Sequence, residues 1–123
     1  MHTVLFTDPF LRDAKAAGLD DEELTNIALA IAADPMAGKL IRGTGGARKL
    51  RFARRGGGKS GGYRTIHYFG GQDVPVFMLA LVDKTSRDDL TQAQRNELAD
   101  VLPRIADAYR ASVAERTRKG RRS

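Results

Sequence analysis

Three strand-like segments follow one another in the middle of the chain, and they constrain its fold more than any other feature. Within residues 47–53 the basic Lys49 and Arg51 alternate with the apolar Leu50 and Phe52, residues 63–69 are rich in aromatic and β-branched side chains, and residues 76–82 are almost wholly apolar. Alternation with a period of two indicates a half-buried strand, whereas a continuous apolar run indicates a central strand covered on both faces. Glycine-rich connections separate the segments, so we predict a three-stranded meander.

Helical patterns flank the meander. Residues 9–17 and the segment from about residue 20 to 33 have helix starts and apolar stripes, and Thr91 with Gln94 forms the pattern of a capping box for a last helix. Pro103 is expected to kink or divide that helix. With a short strand at residues 4–6, the order is β-α-α-β-β-β-α. We predict an α+β fold with a small antiparallel sheet and helices packed on one face.

Length and composition indicate one domain and exclude several kinds of site. The 123 residues suit a single domain, which we place at 1–114, with a disordered basic tail at 115–123. The chain has no Cys and two His, so we expect neither a disulfide nor a typical metal site. No apolar run is long enough to span a membrane, and the N-terminal apolar run is too short for a signal peptide. We therefore expect a cytoplasmic protein without a membrane partner.

The basic residues are concentrated in one stretch. Residues 35–72 contain nine Lys and Arg side chains and no Asp or Glu, whereas the whole chain has a net charge of +6. A surface that serves only solubility normally mixes the two signs. On the first meander strand Lys49 and Arg51 share one face, opposite Leu50 and Phe52. This pattern indicates a focused site for a polyanion.

The residues in this stretch favour one kind of chemistry over others. Gly56-Gly57-Gly58-Lys59-Ser60 resembles the end of a phosphate-binding loop, but it leads into a strand rather than a helix, and no carboxylate for a metal lies nearby in sequence. Catalysis by a pair of carboxylates would need Asp or Glu side chains, and this stretch contains none. Fixed cations, by contrast, stabilise the negative charge of a phosphoryl transition state, and neighbouring positive charges disfavour the protonated form of a lysine such as Lys49. RNA supplies its own nucleophile, the 2′-OH, and its scission needs no metal or other cofactor.

Two motifs carry a resemblance to a known family. Residues 43–52 read Gly-Thr-Gly-Gly-Ala-Arg-Lys-Leu-Arg-Phe, and residues 58–64 read Gly-Lys-Ser-Gly-Gly-Tyr-Arg. Together with Tyr68 and the apolar strand that ends in Asp83-Lys84, they resemble the RelE/ParE superfamily of bacterial type II toxins, and especially its HigB-type branch. The resemblance implies a toxin that enters the ribosomal A site and cleaves mRNA by 2′-OH attack. It also implies a cognate antitoxin as partner.

The resemblance assigns roles to four residues. Lys49 is the expected proton acceptor, Arg51 and Arg64 are expected to stabilise the phosphate charge, and Lys84 is expected to contact the phosphate or to protonate the leaving oxygen. The chain departs from the RelE pattern after Lys84, where Thr85 replaces an arginine and a tyrosine is missing. His67 or Tyr68 is therefore a candidate proton shuttle, although His67 has the opposite strand parity to Arg64.

Further residues are expected to bind RNA without acting in catalysis. They are basic side chains that contact the RNA backbone and one tyrosine that stacks on a base, with core packing as the alternative for the tyrosine: Arg48, Arg54, Arg55, Lys59 and Tyr68. Two other functions stay open at this point. One is a non-enzymatic ParE-like inhibitor of DNA gyrase, a branch that shares the fold but as a rule lacks the strand cations, and the other is a simple RNA-binding module.

Overall fold

A computed structural model describes residues 2–53, 62–83 and 90–122, without the side chains of residues 83 and 119–122. The elements are, in chain order, β1 (Val4–Phe6), α1 (Asp8–Ala16), α2 (Asp21–Ala33), β2 (Lys39–Leu40), β3 (Ala47–Phe52), β4 (Tyr63–Tyr68), β5 (Val76–Asp83) and α3 (Gln92–Arg122). The α+β class and the predicted element order are confirmed. The two-residue strand β2 is an addition that the sequence pattern did not indicate.

The five strands form one sheet in the order β1-β5-β4-β3-β2. Strands β3, β4 and β5 are the predicted antiparallel meander, and β2 pairs antiparallel with β3. Strand β1 pairs parallel with β5, so the sheet is mixed rather than wholly antiparallel as we predicted. A parallel neighbour is possible here because β1 and β5 are far apart in sequence and no hairpin joins them.

Side chains cap the first turns of α1 and α2. The Thr7 hydroxyl accepts a hydrogen bond from the Phe10 N–H at 3.4 Å and donates one to the Met78 carbonyl at 2.7 Å, which ties the start of α1 to β5. At the start of α2, Asp20 and Glu23 form a complete capping box. Each cap satisfies backbone N–H groups that have no partner within the helix.

Helices cover both faces of the sheet. On one face α1 and α2 pack on β5 through a core that includes Phe10, Ile27, Ile31, Val76 and Met78. On the other face α3 packs through two smaller clusters, which contain Ala47, Ile66 and Leu102, and Val74, Phe77 and Ala106. The prediction of helices on one face is therefore wrong. The reason is β5, whose alternating side chains are apolar on both faces and need a cover on each.

Helix α3 continues to Arg122, so residues 115–122 of the predicted disordered tail are instead helical. The Thr91 hydroxyl accepts from the Gln94 N–H at 3.1 Å, and the Gln94 amide oxygen accepts from the Thr91 N–H at 2.9 Å, which confirms the predicted capping box. Ion pairs at helical spacing then support the exposed face, among them Arg104–Asp100 and Arg118–Glu115. Pro103 lies inside the helix without dividing it. Within the described ranges, no helix combines the length and apolarity needed to cross a lipid bilayer.

Candidate nucleic-acid interface

The register of β3 and β4 places three of the predicted site residues on one face of the sheet. Lys49 pairs with Ile66, and Arg51 pairs directly with Arg64. Paired residues share a face, and Ile66 belongs to the cluster under α3. Lys49, Arg51 and Arg64 therefore lie on the α3 side of the sheet. The structure brings together the cations that the sequence pattern and the resemblance had singled out separately.

Like charges lie directly opposite each other twice on this face. Arg51 is the cross-strand partner of Arg64, and Lys39 on β2 is the partner of Lys49. Side chains in such positions have Cβ atoms about 4.5–5.5 Å apart, and like charges there oppose folding. Arg51 and Lys39 are exposed, whereas Lys49 and Arg64 are half-buried. Four cations from three neighbouring strands thus form one positive surface, which we call the cation face.

His67 and Arg48 lie on the opposite face, where they are cross-strand partners. His67 is fully buried, and its Nε2 is 3.1 Å from the Pro35 carbonyl, which makes Nε2 the protonated nitrogen because a carbonyl only accepts. The Arg48 Nη1 donates to the carbonyls of Met36 and Gly38 at 3.1 and 3.3 Å. Both side chains therefore fix the connection between α2 and β2.

The surroundings of His67 favour its neutral form. Burial is the main cause of a lowered pKa, and the nearby Arg48 charge lowers the pKa further, while the Pro35 carbonyl and Asp34 act in the opposite direction. Since the imidazole is buried on the other side of the sheet from Arg64, it does not reach the cation face. The structure therefore corrects the expectation of His67 as a proton shuttle and of Arg48 as an RNA contact, because both side chains bind the connection between α2 and β2 on the opposite face.

Tyr68 lies on the same face of the sheet as Arg64, at the C-terminal end of β4. It pairs with Ala47 and packs against the clusters under α3. Its ring lies against two glycines: a Cβ atom added to Gly46 would lie 3.1 Å from Cε1, and one added to Gly70 would lie 2.9 Å from Cε2. Core packing, the alternative to base stacking, is thus what the described contacts of Tyr68 show. The remaining predicted residues, Arg54, Arg55, Lys59 and Lys84, lie outside the described residues.

The glycine-rich motif before β3 has a structural explanation. Thr44 is fully buried, and its hydroxyl donates to the Ile41 carbonyl at 2.7 Å and accepts from the Ala47 N–H at 3.0 Å. Gly45 has φ +79°, and a Cβ atom there would lie 3.5 Å from the Ala99 Cα of α3. The motif therefore forms a tight turn that lets the backbone pass under α3, and this turn delivers β3 in the register that creates the cation face.

Sequence reasoning missed a cavity beside the cation face. It has a volume of about 380 Å³ and is lined by four basic and two apolar residues: Lys39, Leu40, Ile41, Arg42, Lys49 and Arg95. Lys39 and Arg42 belong to the acid-free stretch, so charge counting alone pointed toward them. Arg95 comes from the first turns of α3, distant in sequence, and no local signal indicated it.

Comparison with known proteins decides the family. A family model described as the RelE toxin of the RelE / RelB toxin–antitoxin system matches residues 2–121. The chain belongs to the RelE toxin family. Among solved structures, it is similar to a double-mutant form of the E. coli toxin RelE in the free state, with 19% sequence identity, a TM-score of 0.49, and coverage of 66% of this chain and 81% of that one.

The predicted resemblance to the RelE/ParE superfamily is thereby confirmed, and this RelE-family protein is a toxin of a toxin–antitoxin system, which implies an antitoxin as partner. Its assignment to the HigB-type branch stays a prediction. So do its reaction, its ribosomal site and its site residues.

Proposed function

We propose that this RelE-family toxin is a ribosome-dependent endoribonuclease that cleaves mRNA in the A site and so inhibits translation. The observation that supports this proposal is the cation face, with Arg51 directly opposite Arg64 and Lys49 two residues along the same strand. Two directly opposed like-charged pairs oppose folding. A bound phosphodiester removes that repulsion, because its negative charge lies between the cations.

The proposed reaction uses the 2′-OH of the RNA, the cation face and one further proton donor. The ribose 2′-oxygen attacks the adjacent phosphorus while Lys49 accepts the hydroxyl proton. The bond from phosphorus to the 5′-oxygen of the next nucleotide then breaks. A protonated group, for which Lys84 remains the candidate, gives a proton to the departing oxygen. The products are a 2′,3′-cyclic phosphate and a free 5′-hydroxyl.

Arg51 and Arg64 stabilise the transition state in this scheme. Negative charge accumulates on the non-bridging oxygens as the fifth bond to phosphorus forms, and fixed donors that wait for this charge lower the barrier. A guanidinium suits this role because it stays protonated and presents several planar N–H donors. Since the two arginines come from paired strands, the sheet backbone fixes the relative position of their Cα atoms before substrate arrives.

Mapping of RNA 5′ ends tests the proposal. Purified toxin is added to ribosomes stalled on a defined message, and to the same message without ribosomes. We expect cuts only with ribosomes, and loss of these cuts in Arg64→Ala. The control Arg12→Gln, on α1, should cut like the wild type. If the message stays intact while the toxin inhibits DNA supercoiling by gyrase, the ParE-like alternative is correct instead.

A further inference from the structure

The cavity beside the cation face has the composition of a phosphate site. Among the described residues that line it, four are basic and none is acidic: Lys39, Arg42, Lys49 and Arg95 are joined by Leu40 and Ile41. A cavity that served only packing would bury apolar surface, and clustered cations without carboxylates oppose folding. The lining therefore favours an anion, with an apolar wall suited to the ribose or base attached to it.

Arg95 holds the walls of this cavity together and also contributes to its positive charge. Its Nε donates to the Leu90 carbonyl at 3.2 Å, and its Nη1 donates to the Arg42 carbonyl at 3.3 Å. These bonds tie the segment after β2 to the start of α3 and fix the guanidinium through neutral acceptors. They use two of the five N–H donors of an arginine.

Arg110, further along the same helix, shows the contrast. Its Nε and Nη2 bind the Asp73 carboxylate at 2.6 and 3.0 Å, and its Nη1 binds Asp107 at 3.2 Å. Its positive charge is therefore compensated within the protein. Among the described residues, the two acceptors that hold Arg95 are backbone carbonyls, which orient its guanidinium and carry no net charge.

The cavity also adjoins the proposed cleavage site. Lys49 lines it and lies two residues from Arg51 on β3, about 7 Å along the strand. We propose that this cavity binds a neighbouring phosphate of the same RNA strand, through Lys39, Arg42 and Arg95, with its nucleotide against Leu40 and Ile41. The inference rests on the proposed function for its substrate, but it concerns binding and not the chemical step.

Equilibrium binding of an uncleavable RNA tests the cavity by itself. A short fluorescein-labelled RNA with 2′-O-methyl riboses lacks the attacking hydroxyl, so its fluorescence anisotropy reports binding alone. The double variant Lys39→Gln/Arg42→Gln removes two charges from the cavity. The matched control Arg12→Gln/Lys15→Gln removes two charges from exposed positions on α1. Affinities are measured between about 50 and 200 mM salt, the range in which phosphate contacts dominate.

We expect the cavity variant to bind about tenfold more weakly at about 100 mM salt, because it cannot form charge-assisted hydrogen bonds to the phosphate from these two positions. The plot of log affinity against log salt should become less steep by about 0.7 for each phosphate that the variant no longer neutralises. The control should keep both the affinity and the slope within about twofold of the wild type. Arg95→Lys, which keeps the charge but not both carbonyl bonds, should weaken binding with little change in slope.

Two results overturn the inference. In one, the cavity variant binds like the wild type. In the other, it and the α1 control lose affinity equally, so that net charge alone explains the loss. Neither result depends on cleavage. If the wild type cuts no message yet RNA binding still requires Lys39 and Arg42, the proposed function fails and the phosphate site stands; if cleavage occurs and the cavity variants bind normally, the reverse holds.

Discussion

Replacing Arg51 by glutamine is expected to make the folded protein more stable and the toxin inactive. Arg51 is exposed and lies directly opposite Arg64 in the register of β3 and β4. The substitution removes one of two like charges that face each other across the sheet. It also removes one of the donors that we propose for the transition state. Stability and activity should therefore change in opposite directions.

The position of Arg51 gives the expected size of the change in stability and of the change in rate. Directly opposed cross-strand pairs contribute roughly 0.2–1 kcal/mol, with like charges on the unfavourable side. For a domain of this size, such a gain raises the melting temperature by about 1–5 °C. Loss of one fixed donor to an oxyanion typically lowers the rate by about 10²–10³, which corresponds to roughly 2.7–4 kcal/mol of transition-state stabilisation.

Urea denaturation and single-turnover cleavage on programmed ribosomes measure the two quantities. Arg12→Gln is the matched control because it changes the net charge equally, from an exposed position on α1. It should leave the rate of cleavage unchanged, and its effect on the free energy of unfolding gives the contribution of net charge alone. The extra stability of Arg51→Gln over this control should shrink as salt is added, since ions screen repulsion between exposed charges.

Two outcomes refute this reasoning. If Arg51→Gln is less stable than the Arg12→Gln control at low salt, Arg51 makes favourable contacts that outweigh the repulsion across the sheet. If Arg51→Gln cleaves at the wild-type rate, the cation face does not stabilise the transition state through this residue.

Substitutions of Gly38, Thr44 and His67 test how the fold holds the site, with Gly18→Ala as a comparison. Gly38→Ala should cost more than about 2 kcal/mol in urea denaturation, because φ is +89° and the new Cβ would overlap the Lys49 carbonyl oxygen; Gly18→Ala, with φ +80° and open space, should cost only the backbone strain of about 1–2 kcal/mol. Thr44→Val should cost about 1–3 kcal/mol by the same measurement, because it removes a buried hydroxyl that makes two hydrogen bonds. Burial lowers the pKa of His67 from 6.5, so the unfolded chain holds more protons below that pH and the free energy of unfolding should fall as pH drops from 6.5, by at most about 1.4 kcal/mol per pH unit. His67→Gln should flatten this dependence below pH 6.5, and an unchanged slope would contradict the assignment.

Local signals in the sequence predicted most of the elements. The capping box at Thr91 and the alternation on β3 each depend on residues within a few positions of one another, so both can be read directly from the sequence. The parity argument also held, since His67 and Arg64 do lie on opposite faces. These successes share one property: they need no knowledge of what packs against the element.

The predictions that were wrong concern which elements pack against each other. The prediction that the helices pack on one face conflicted with the apolar run of β5, which already required a cover on both faces. An apolar stripe on α3 was available to supply it, with Leu98, Leu102 and Ile105 at helical spacing. What the sequence did not display was the tertiary partner of each stripe. The same limit hid Arg95, whose place beside Arg42 follows from how α3 crosses the sheet.

The motifs behind the family resemblance carry two kinds of information. The buried Thr44 and the close approach of Gly45 to Ala99 show that the glycine-rich part specifies a turn under α3. Any toxin with that turn needs the glycine-rich residues that form it, whether or not the toxin cuts RNA. The cations of β3 and β4 are different, because two directly opposed arginines oppose folding. Activity should therefore depend on the charges of Arg51 and Arg64, whereas Thr44→Val should alter stability with little effect on the cleavage rate of the folded protein; a Thr44→Val toxin that folds but cannot cut would contradict this division.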